Sequence, residues 1–432
     1  MTDHALMSWL PQLAPAAPAW LATLQAAARA QVQTQIAAPD AEAWRYTSLN
    51  HLLEQGFVPI DETITALQPD DLDEVLIPGL ASRRVVFVNG RYAPELSATE
   101  ALPPGVHLDS LRDVLAHDPD AVRVLLTAEP ATVPLFMALN LAGLDDGLVL
   151  RLDRAAILAQ PLELIHLSIG LDQPSVAQPH HLIVLGDGAQ ATLVERYVSL
   201  GAAVYCTNAV IEIQLGRDAV LTHERLQTES QNAFHLSGLS LRQDANSRYQ
   251  SVNLGLGSRW SRTELLTQFC AAHAECDLRG LYLAGDDQRI DYHLDVNHAV
   301  PNCTSRETFK GIIYGKGRAV FDGRVVVAKD AQKSDAAMSN QNLLLSPQAE
   351  IDTKPQLEIN ADDVRCSHGT TVGQIEPEKL FYLRSRGISA ALARRMLCLG
   401  FADEIIHTLH SETLREHLSE QVGQRLESAP WD

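Results

Sequence analysis

Two short stretches of the sequence place reactive side chains on one face of an extended strand. The first is DYHLDVNH, residues 291–298, where alternation puts Asp291, His293, Asp295 and Asn297 on the same side. An imidazole between carboxylates can bind a metal ion or carry a proton during hydrolysis. A solvated strand face, or a polar ladder between neighbouring strands, would give the same pattern, so both interpretations stay open here.

The second stretch is Cys366-Ser367-His368-Gly369. In a strand, the thiol and the imidazole would lie on the same side, about 6.5 to 7 Å apart along the chain. Both groups could then address one soft metal ion or cluster. Two ligands are half of a site, and no second pair lies nearby in the sequence. The other ligands must come from distant residues or another subunit, or the pair has no metal function.

Motifs for nucleotide or hydrolytic chemistry fail on their spacing. Residues 311–316 are one residue short of a P-loop, and Gly317 follows where Ser or Thr would hold magnesium. Residues 255–257 lack the third glycine of a dinucleotide-binding fingerprint, and neither GxSxG nor HExxH occurs. We therefore expect a protein that is not an enzyme. The alternative enzyme is a carbohydrate-active β-helix that uses the carboxylates of residues 291–298 as acid and base.

The middle of the chain has a repeated strand pattern that would position these side chains. Between residues 148 and 370, short β-branched and aliphatic runs alternate and are broken by similar turns at 185–189, 215–219 and 241–245, and more loosely at 314–319 and 345–349. Between the alanines that end these turns, the spacing is 30 residues from Ala189 to Ala219, 26 from Ala219 to Ala245 and 30 from Ala319 to Ala349. Such a strand-only period predicts a solenoid in which each coil packs on the next, as in a β-helix. A β-sandwich with similar turns is the alternative.

The region before the repeat, residues 1–147, is predicted to be a lobe of helices and mixed α/β structure. Two or three short helices are expected up to residue 38, and residues 84–88 before Asn89-Gly90 are typical of one arm of a hairpin. The helical spacing rests on Trp9, Leu10, Leu13, Trp20, Leu21 and Leu24.

The region after the repeat, residues 371–432, is predicted to be a helical domain in which Gly387 ends a first short helix. Such a module either packs only on its own chain or serves as a docking element. Its apolar stripe consists of Leu380, Leu383, Ala391, Leu392, Met396, Leu397, Phe401, Ile405, Ile406 and Leu409.

Composition narrows the classes of partner. The 432 residues contain 34 Lys plus Arg and 54 Asp plus Glu, a formal charge of −20, which disfavours nucleic acid and anionic membranes. The six cysteines form no CxxC pair and fit reduced thiols. With no leader peptide and no long apolar run recognisable, we expect a cytoplasmic protein.

A long segment carries a resemblance to a known family. Residues 352–388, DTKPQLEINADDVRCSHGTTVGQIEPEKLFYLRSRGI, resemble the SufB/SufD family of iron–sulfur cluster assembly proteins. The resemblance extends to residues 315–345, to WRYTSL at 44–49 and to LFMALN at 135–140. Within the family, SufB-type chains carry a proposed cluster-building cysteine in the segment matching residues 338–345. This chain has Asn340 near that position and no cysteine between Cys303 and Cys366, so it resembles the SufD type.

The resemblance implies a right-handed parallel β-helix with N- and C-terminal helical regions. It also implies a complex with a SufB-like subunit and the ABC-type ATPase SufC, which would dock on residues 377–410. In this family a nascent cluster is proposed to form between a SufB cysteine and a SufD histidine, which corresponds to His368, with Cys366 beside it. A reduced flavin is associated with some such complexes, and a homodimer is an alternative assembly for the isolated chain.

Overall fold

The computed structural model describes residues 18–53, 55–60, 67–99, 101–171 and 173–429. The helical spacing at Trp9, Leu10 and Leu13 lies outside these ranges. Among the described helices, none combines the length and the apolar character needed to cross a membrane. The helices are α1 (Ala19–Ala37), α2 (Asn50–Leu53), α3 (Leu111–His117), α4 (Pro119–Leu125), α5 (Leu135–Ala142), α6 (Pro377–Ser385), α7 (Ala390–Ile406) and α8 (Glu412–Ser428).

The strands fill the chain between the two helical regions. They are β1 (Val58–Pro59), β2 (Arg83–Val88), β3 (Arg91–Tyr92), β4 (Val106–Ser110), β5 (Leu148–Leu152), β6 (Ile157–Ile169), β7 (Ser175–Ala177), β8 (His180–Leu185), β9 (Gln190–Leu200), β10 (Tyr205–Leu215), β11 (Val220–Gln227), β12 (Phe234–Gln243), β13 (Arg248–Gly255), β14 (Trp260–Phe269), β15 (Glu275–Ala284), β16 (Arg289–His298), β17 (Thr304–Ile313), β18 (Arg318–Val327), β19 (Asp335–Leu344), β20 (Glu350–Ile359) and β21 (Arg365–Gly373).

From β8 onward, the strands alternate between two sheets. Sheet A has the order β20-β18-β16-β14-β12-β10-β8-β5-β4, and sheet B has the order β21-β19-β17-β15-β13-β11-β9-β6-β2-β3. Neighbours along both stacks pair in parallel, except for the antiparallel pairs β4–β5 and β2–β3 at one end. Each coil therefore adds one strand to each sheet, and the predicted parallel β-solenoid with helices at both ends is confirmed. The division of the chain at residues 147 and 370 stays a prediction.

The pairing of neighbouring strands gives the number of residues in each coil. In sheet B, equivalent residues are 27 to 31 positions apart, and the predicted spacing of 30 between Ala189 and Ala219 is confirmed. The predicted spacing of 26 from Ala219 to Ala245 is wrong, because the pairing of β11 with β13 aligns Ala219 with Ser247. The turns at 314–319 and 345–349 lie at the opposite corner of the coil, where a sheet B strand leads into sheet A.

Corner geometry explains the turn pattern better than the alanines do. At the seven corners that lead into β6, β9, β11, β13, β15, β17 and β19 of sheet B, the residue two positions before the strand has a left-handed backbone, which Gly, Asn and Asp adopt most readily. These residues are Ala155, Gly188, Asp218, Asn246, His273, Asn302 and Lys333. The next residue is small and buried in most coils, as at Ala189, Ala219, Ser247, Ala274, Cys303 and Ser334.

The N-terminal lobe covers the outer face of sheet A. Helix α5 is buried along its whole length between α1 and this face, and α1 contributes Leu21, Ala28 and Val32 to the same cluster. The predicted hairpin is confirmed, because β2 and β3 pair antiparallel through Asn89 and Gly90, both with positive φ.

The C-terminal helices cover the outer face of sheet B. Small residues of α7, Ala393, Cys398 and Ala402, allow it to pack closely against this sheet, and Ile405, Ile406 and Leu409 are buried as predicted. Gly387 separates α6 from α7 with φ +86, as expected for a helix break. Leu392 and Met396, which belong to the same apolar stripe, are 49% and 44% exposed.

The lumen between the sheets is mostly apolar but contains two buried glutamates, Glu195 and Glu307, that differ in protonation state. Glu195 accepts hydrogen bonds from Tyr197 (2.5 Å), His223 (3.1 Å) and Arg225 (2.5 Å). Burial raises the pKa of Glu195, but the charge of Arg225 and the hydrogen bonds from histidines outweigh burial and hold that pKa well below its usual range. This carboxylate is therefore ionised inside the solenoid.

The carboxyl group of Glu307 has no comparable set of hydrogen-bond donors or positive charges beside it in the described structure. Its side chain is fully buried, and neither carboxyl oxygen has a hydrogen-bond partner of normal geometry among the described residues. Burial raises the pKa of Glu307 to about 8, and the nearby Ser305 hydroxyl offsets only part of that effect. The native state therefore holds a proton on Glu307 that the unfolded chain releases above about pH 4.5.

This difference predicts a pH-dependent contribution to stability. Because the folded pKa is raised, the contribution of Glu307 to the unfolding free energy is favourable below about pH 4.5 and falls as pH rises towards about 8. Glu307→Gln should flatten this decline and should be more stable than the parent chain at pH 8, measured by denaturant unfolding from pH 5 to 8. Exposed Glu129→Gln is the control. Parallel pH profiles for parent and Glu307→Gln would contradict the assignment.

Candidate functional site at the open end of the solenoid

The polar face of β16 has the predicted side-chain arrangement. Its even-numbered neighbours, including Tyr292 and Leu294, belong to the lumen cluster, so Asp291, His293 and Asp295 point to the outer face of sheet A. On that face they lie beneath the N-terminal lobe, at a cleft of about 580 Å³ that His293 and Asp295 line. A ligand bound in this cleft could contact His293 and Asp295.

Each of these side chains already has a protein environment that explains it. Asp291 is fully buried and accepts a hydrogen bond from Trp260 Nε1 at 3.2 Å, while burial raises its pKa. Asp295 accepts from Arg324 Nε at 3.2 Å. Burial lowers the pKa of His293 well below its usual value, and its Nδ1 is 3.9 Å from an oxygen of Asp322. These contacts favour the polar-ladder interpretation over an open acid–base pair.

Cys366 and His368 lie on β21, the last strand of sheet B. The register pairs Cys366 with Ala336 and His368 with Met338, and both partners belong to the lumen cluster. The thiol and the imidazole therefore occupy inward-facing positions of the final coil, on one side of the strand as predicted. Since no coil covers this strand among the described residues, the two groups lie at the open mouth of the lumen.

The two groups differ in their surroundings. His368 is exposed and has no hydrogen bond or ion pair within the part of the chain that the structure describes. Cys366 is half-buried against the lumen cluster, and burial raises the pKa of its thiol, with the negative charge of Asp335 adding to the effect. The thiol is therefore protonated at neutral pH until a metal or a positive group approaches.

This pair does not complete a metal site. Across the described ranges, no group of three or more His, Cys, Asp or Glu side chains is arranged to hold a metal ion. All six cysteines are free thiols, and four of them, Cys206, Cys276, Cys303 and Cys398, are buried. Among the described residues, Cys366 and His368 therefore have no further metal-binding side chain beside them, and their role as metal ligands stays a prediction.

The strands around this pair form an uncovered sheet end. Among the described residues, strand β20 pairs only with β18 and strand β21 only with β19, so each has one free edge there. Nearly all of β21 is exposed, including Val372 at 48%, and Ile359 at the end of β20 is 42% exposed. Such long unprotected edges are unusual in a protein that works alone, because they can pair with another chain.

A second exposed surface lies on α6 and α7. We call it the helical patch, and it consists of Phe381 (74% exposed), Tyr382 (58%), Leu392 (49%) and Met396 (44%). Arg386 lies over the Tyr382 ring at 5.4 Å, which gives the patch a basic border. Helical periodicity placed Leu392 and Met396 on the apolar stripe and left open whether that stripe packs on its own chain or docks a partner. The adjacent aromatic pair, Phe381-Tyr382, in a short helix rich in charged residues was the signal for exposure.

Comparison with known proteins assigns the family. The family model described as "SUF system FeS cluster assembly, SufBD core domain" matches residues 168–401, and the "SufBD protein N-terminal region" matches residues 15–164. The Iron-sulfur cluster assembly protein SufD of Escherichia coli is 37% identical over 390 residues, covering 89% of this chain and 88% of that protein.

Two further relatives agree with this result. An iron-sulfur cluster assembly SufBD family protein of Synechocystis is 32% identical over 392 residues, covering 89% of this chain and 86% of the relative. The chloroplastic protein ABCI7 of Arabidopsis thaliana is 31% identical over 295 residues, covering 67% of this chain and 62% of the relative. The stacked strands, the resemblance of residues 315–388 and these matches lead to one conclusion: the chain belongs to the SufB/SufD family of iron–sulfur cluster assembly proteins and is most similar to SufD.

Proposed function

We propose that this chain is a non-catalytic scaffold subunit of a cytoplasmic complex with a SufB-like subunit and a SufC-like ATPase. Its role would be to contribute His368, together with Cys366, to a nascent iron–sulfur cluster. The observation that carries the proposal is the location of both side chains at the mouth of an uncovered solenoid end. The cluster is the cargo of this site and not a resident cofactor.

The free edges of β20 and β21 support a SufB-like sister as the partner. Another β-solenoid could continue both sheets by hydrogen bonding to these edges, and it would then bring its own side chains over the lumen mouth. Thiolates from the sister could supply the ligands that Cys366 and His368 lack. The same free edges would allow two copies of this chain to form a homodimer when the sister is absent.

The ligand types fit a cluster that is later handed on. A neutral imidazole and a single thiolate bind iron, but two ligands from one chain hold it weakly. The raised pKa of Cys366 means that iron must displace a proton from the thiol, which weakens binding further at neutral pH. Release to an acceptor protein is therefore easier than from a site with four ligands on one chain. A reduced flavin in the complex remains part of this proposal.

The helical patch supports docking of a SufC-like ATPase. Exposed aromatic side chains with an arginine border are typical of interface centres. The patch lies on α6 and α7, within residues 377–410, the region that the family resemblance assigned to this contact. The chain has no P-loop of its own, so nucleotide hydrolysis would have to come from such a partner.

Cluster assembly should depend on His368. We expect His368→Ala to reduce cluster formation about tenfold or more, because the imidazole is one of only two ligands from this chain. The measurement is visible absorption after anaerobic reconstitution of the co-expressed complex with iron and sulfide.

Ser367→Ala is the matched control, since Ser367 lies on the opposite side of the same strand. Size-exclusion chromatography checks that each variant still forms the complex. Equal cluster absorption in His368→Ala and Ser367→Ala would rule out the proposed ligand role and favour a plain adaptor solenoid.

Binding of the ATPase should depend on the helical patch. Phe381→Asp places a charge at its most exposed aromatic side chain and should weaken binding of the SufC-like partner about tenfold or more, measured by titration calorimetry. Val124→Asp is the control, because Val124 is 79% exposed on α4. If both variants bind the ATPase as the parent does, the docking site lies elsewhere.

A further inference from the structure

A basic cavity lies at the corner where strands enter sheet A, away from the solenoid mouth. Its volume is about 270 Å³, and the charged residues that line it are Arg259, Asp287, Arg289, Lys316 and Arg318. In a chain with a net charge of −20, four cations around one small cavity are a marked local reversal of charge.

The coil register creates this cluster. Arg289 pairs with Arg318 in neighbouring strands of sheet A, so the two side chains project from adjacent coils on the same face. Strands in such a sheet are about 4.8 Å apart, and like charges directly opposite each other repel. Arg259 immediately precedes the strand on the other side, and its carbonyl accepts from the Arg289 amide at 2.9 Å.

Acidic groups balance part of this charge: the Asp286 side chain accepts from the Lys316 amide at 2.7 Å, and the charge of Arg289 acts on Asp291. Within the described ranges, no ion pair joins Arg259, Arg289 or Lys316 to an acidic side chain, whereas Arg318 has Glu350 at 3.2 Å. Asp287 is the only acidic residue among those lining the cavity. A bound anion would therefore replace repulsion between neighbouring arginines with attraction.

The corner is rigid before any ligand binds. The Gln288 side chain is buried and donates to the carbonyl oxygens of Leu256 (3.4 Å) and Ser258 (2.9 Å), while its own oxygen accepts from the Gly285 amide at 3.0 Å. The Arg318 amide donates to the Gln288 carbonyl at 3.0 Å. These bonds hold three successive coils together, so binding would require little ordering of the backbone.

We propose that this corner is a binding site for the phosphoryl group of a small molecule. Guanidinium groups match phosphate oxygens in paired hydrogen bonds, and a lysine adds a compact charge. The cavity is slightly smaller than the roughly 300 Å³ at which pockets for drug-sized ligands begin, so it fits a phosphate or diphosphate head and leaves the rest of a ligand outside. The site is separate from the proposed role in cluster assembly.

Titration calorimetry with the full chain tests this proposal, using pyrophosphate and ADP as probes at about 150 mM salt. We expect millimolar or tighter binding of pyrophosphate, weakened at least tenfold in Arg289→Gln/Lys316→Gln. Arg154→Gln/Arg217→Gln removes the same charge from exposed turns at the opposite corner and should bind as the parent does. Thermal melts check that both variants fold.

The ADP arm identifies the source of the phosphoryl group. Tighter binding of ADP than of pyrophosphate would point to a nucleotide, and the reverse would point to a free phosphate compound. The proposal is overturned if neither probe binds at about 10 mM, ten times the expected dissociation constant. It is also overturned if the two double variants lose binding equally, because that result would mean nonspecific charge attraction.

Discussion

Each coil of the solenoid satisfies its backbone hydrogen-bonding groups by pairing with the coil on either side, and the last coil has a neighbour on one side only. At the start of the stack the outermost strands are short and antiparallel: β4 has five residues and pairs with β5, and β3 has two residues and pairs with β2. At the opposite end, β20 and β21 keep free edges. The contrast between these short first strands and the long free edges of β20 (ten residues) and β21 (nine residues) indicates where a partner could add, and it is the basis of the proposed function.

The same stacking decides what the lumen can contain. A glutamate inside it is tolerated in ionised form where Arg225 and histidines lie beside it, as at Glu195, and in protonated form where they do not, as at Glu307. Apolar residues such as Ala336 and Met338 line the coil below the mouth. Inward positions of β21 therefore have an apolar floor and an open top, and Cys366 and His368 are the groups that occupy them.

The sequence predicts much of this, because a strand has a side-chain period of two. That period assigned Cys366 and His368 to one face, and it assigned Asp291, His293 and Asp295 to one face, without any knowledge of the fold. It could not indicate what covers a face. Asp291 is buried partly through residues near position 44, about 250 positions earlier in the chain, and β21 is uncovered because no described strand follows it in the stack. Ala245 was misaligned because backbone conformation, not alanine, defines the corner.

The central claim is that the free edge of β21 pairs with a sister solenoid and so completes the site at Cys366 and His368. Hydrogen exchange of the backbone amides of Arg365–Gly373, with and without a purified SufB-like partner, tests it most directly. We expect exchange in this segment to slow strongly in the complex, while exchange in helix α4 of the N-terminal lobe does not change. Unchanged exchange across β20 and β21 in a complex that has demonstrably formed would contradict it.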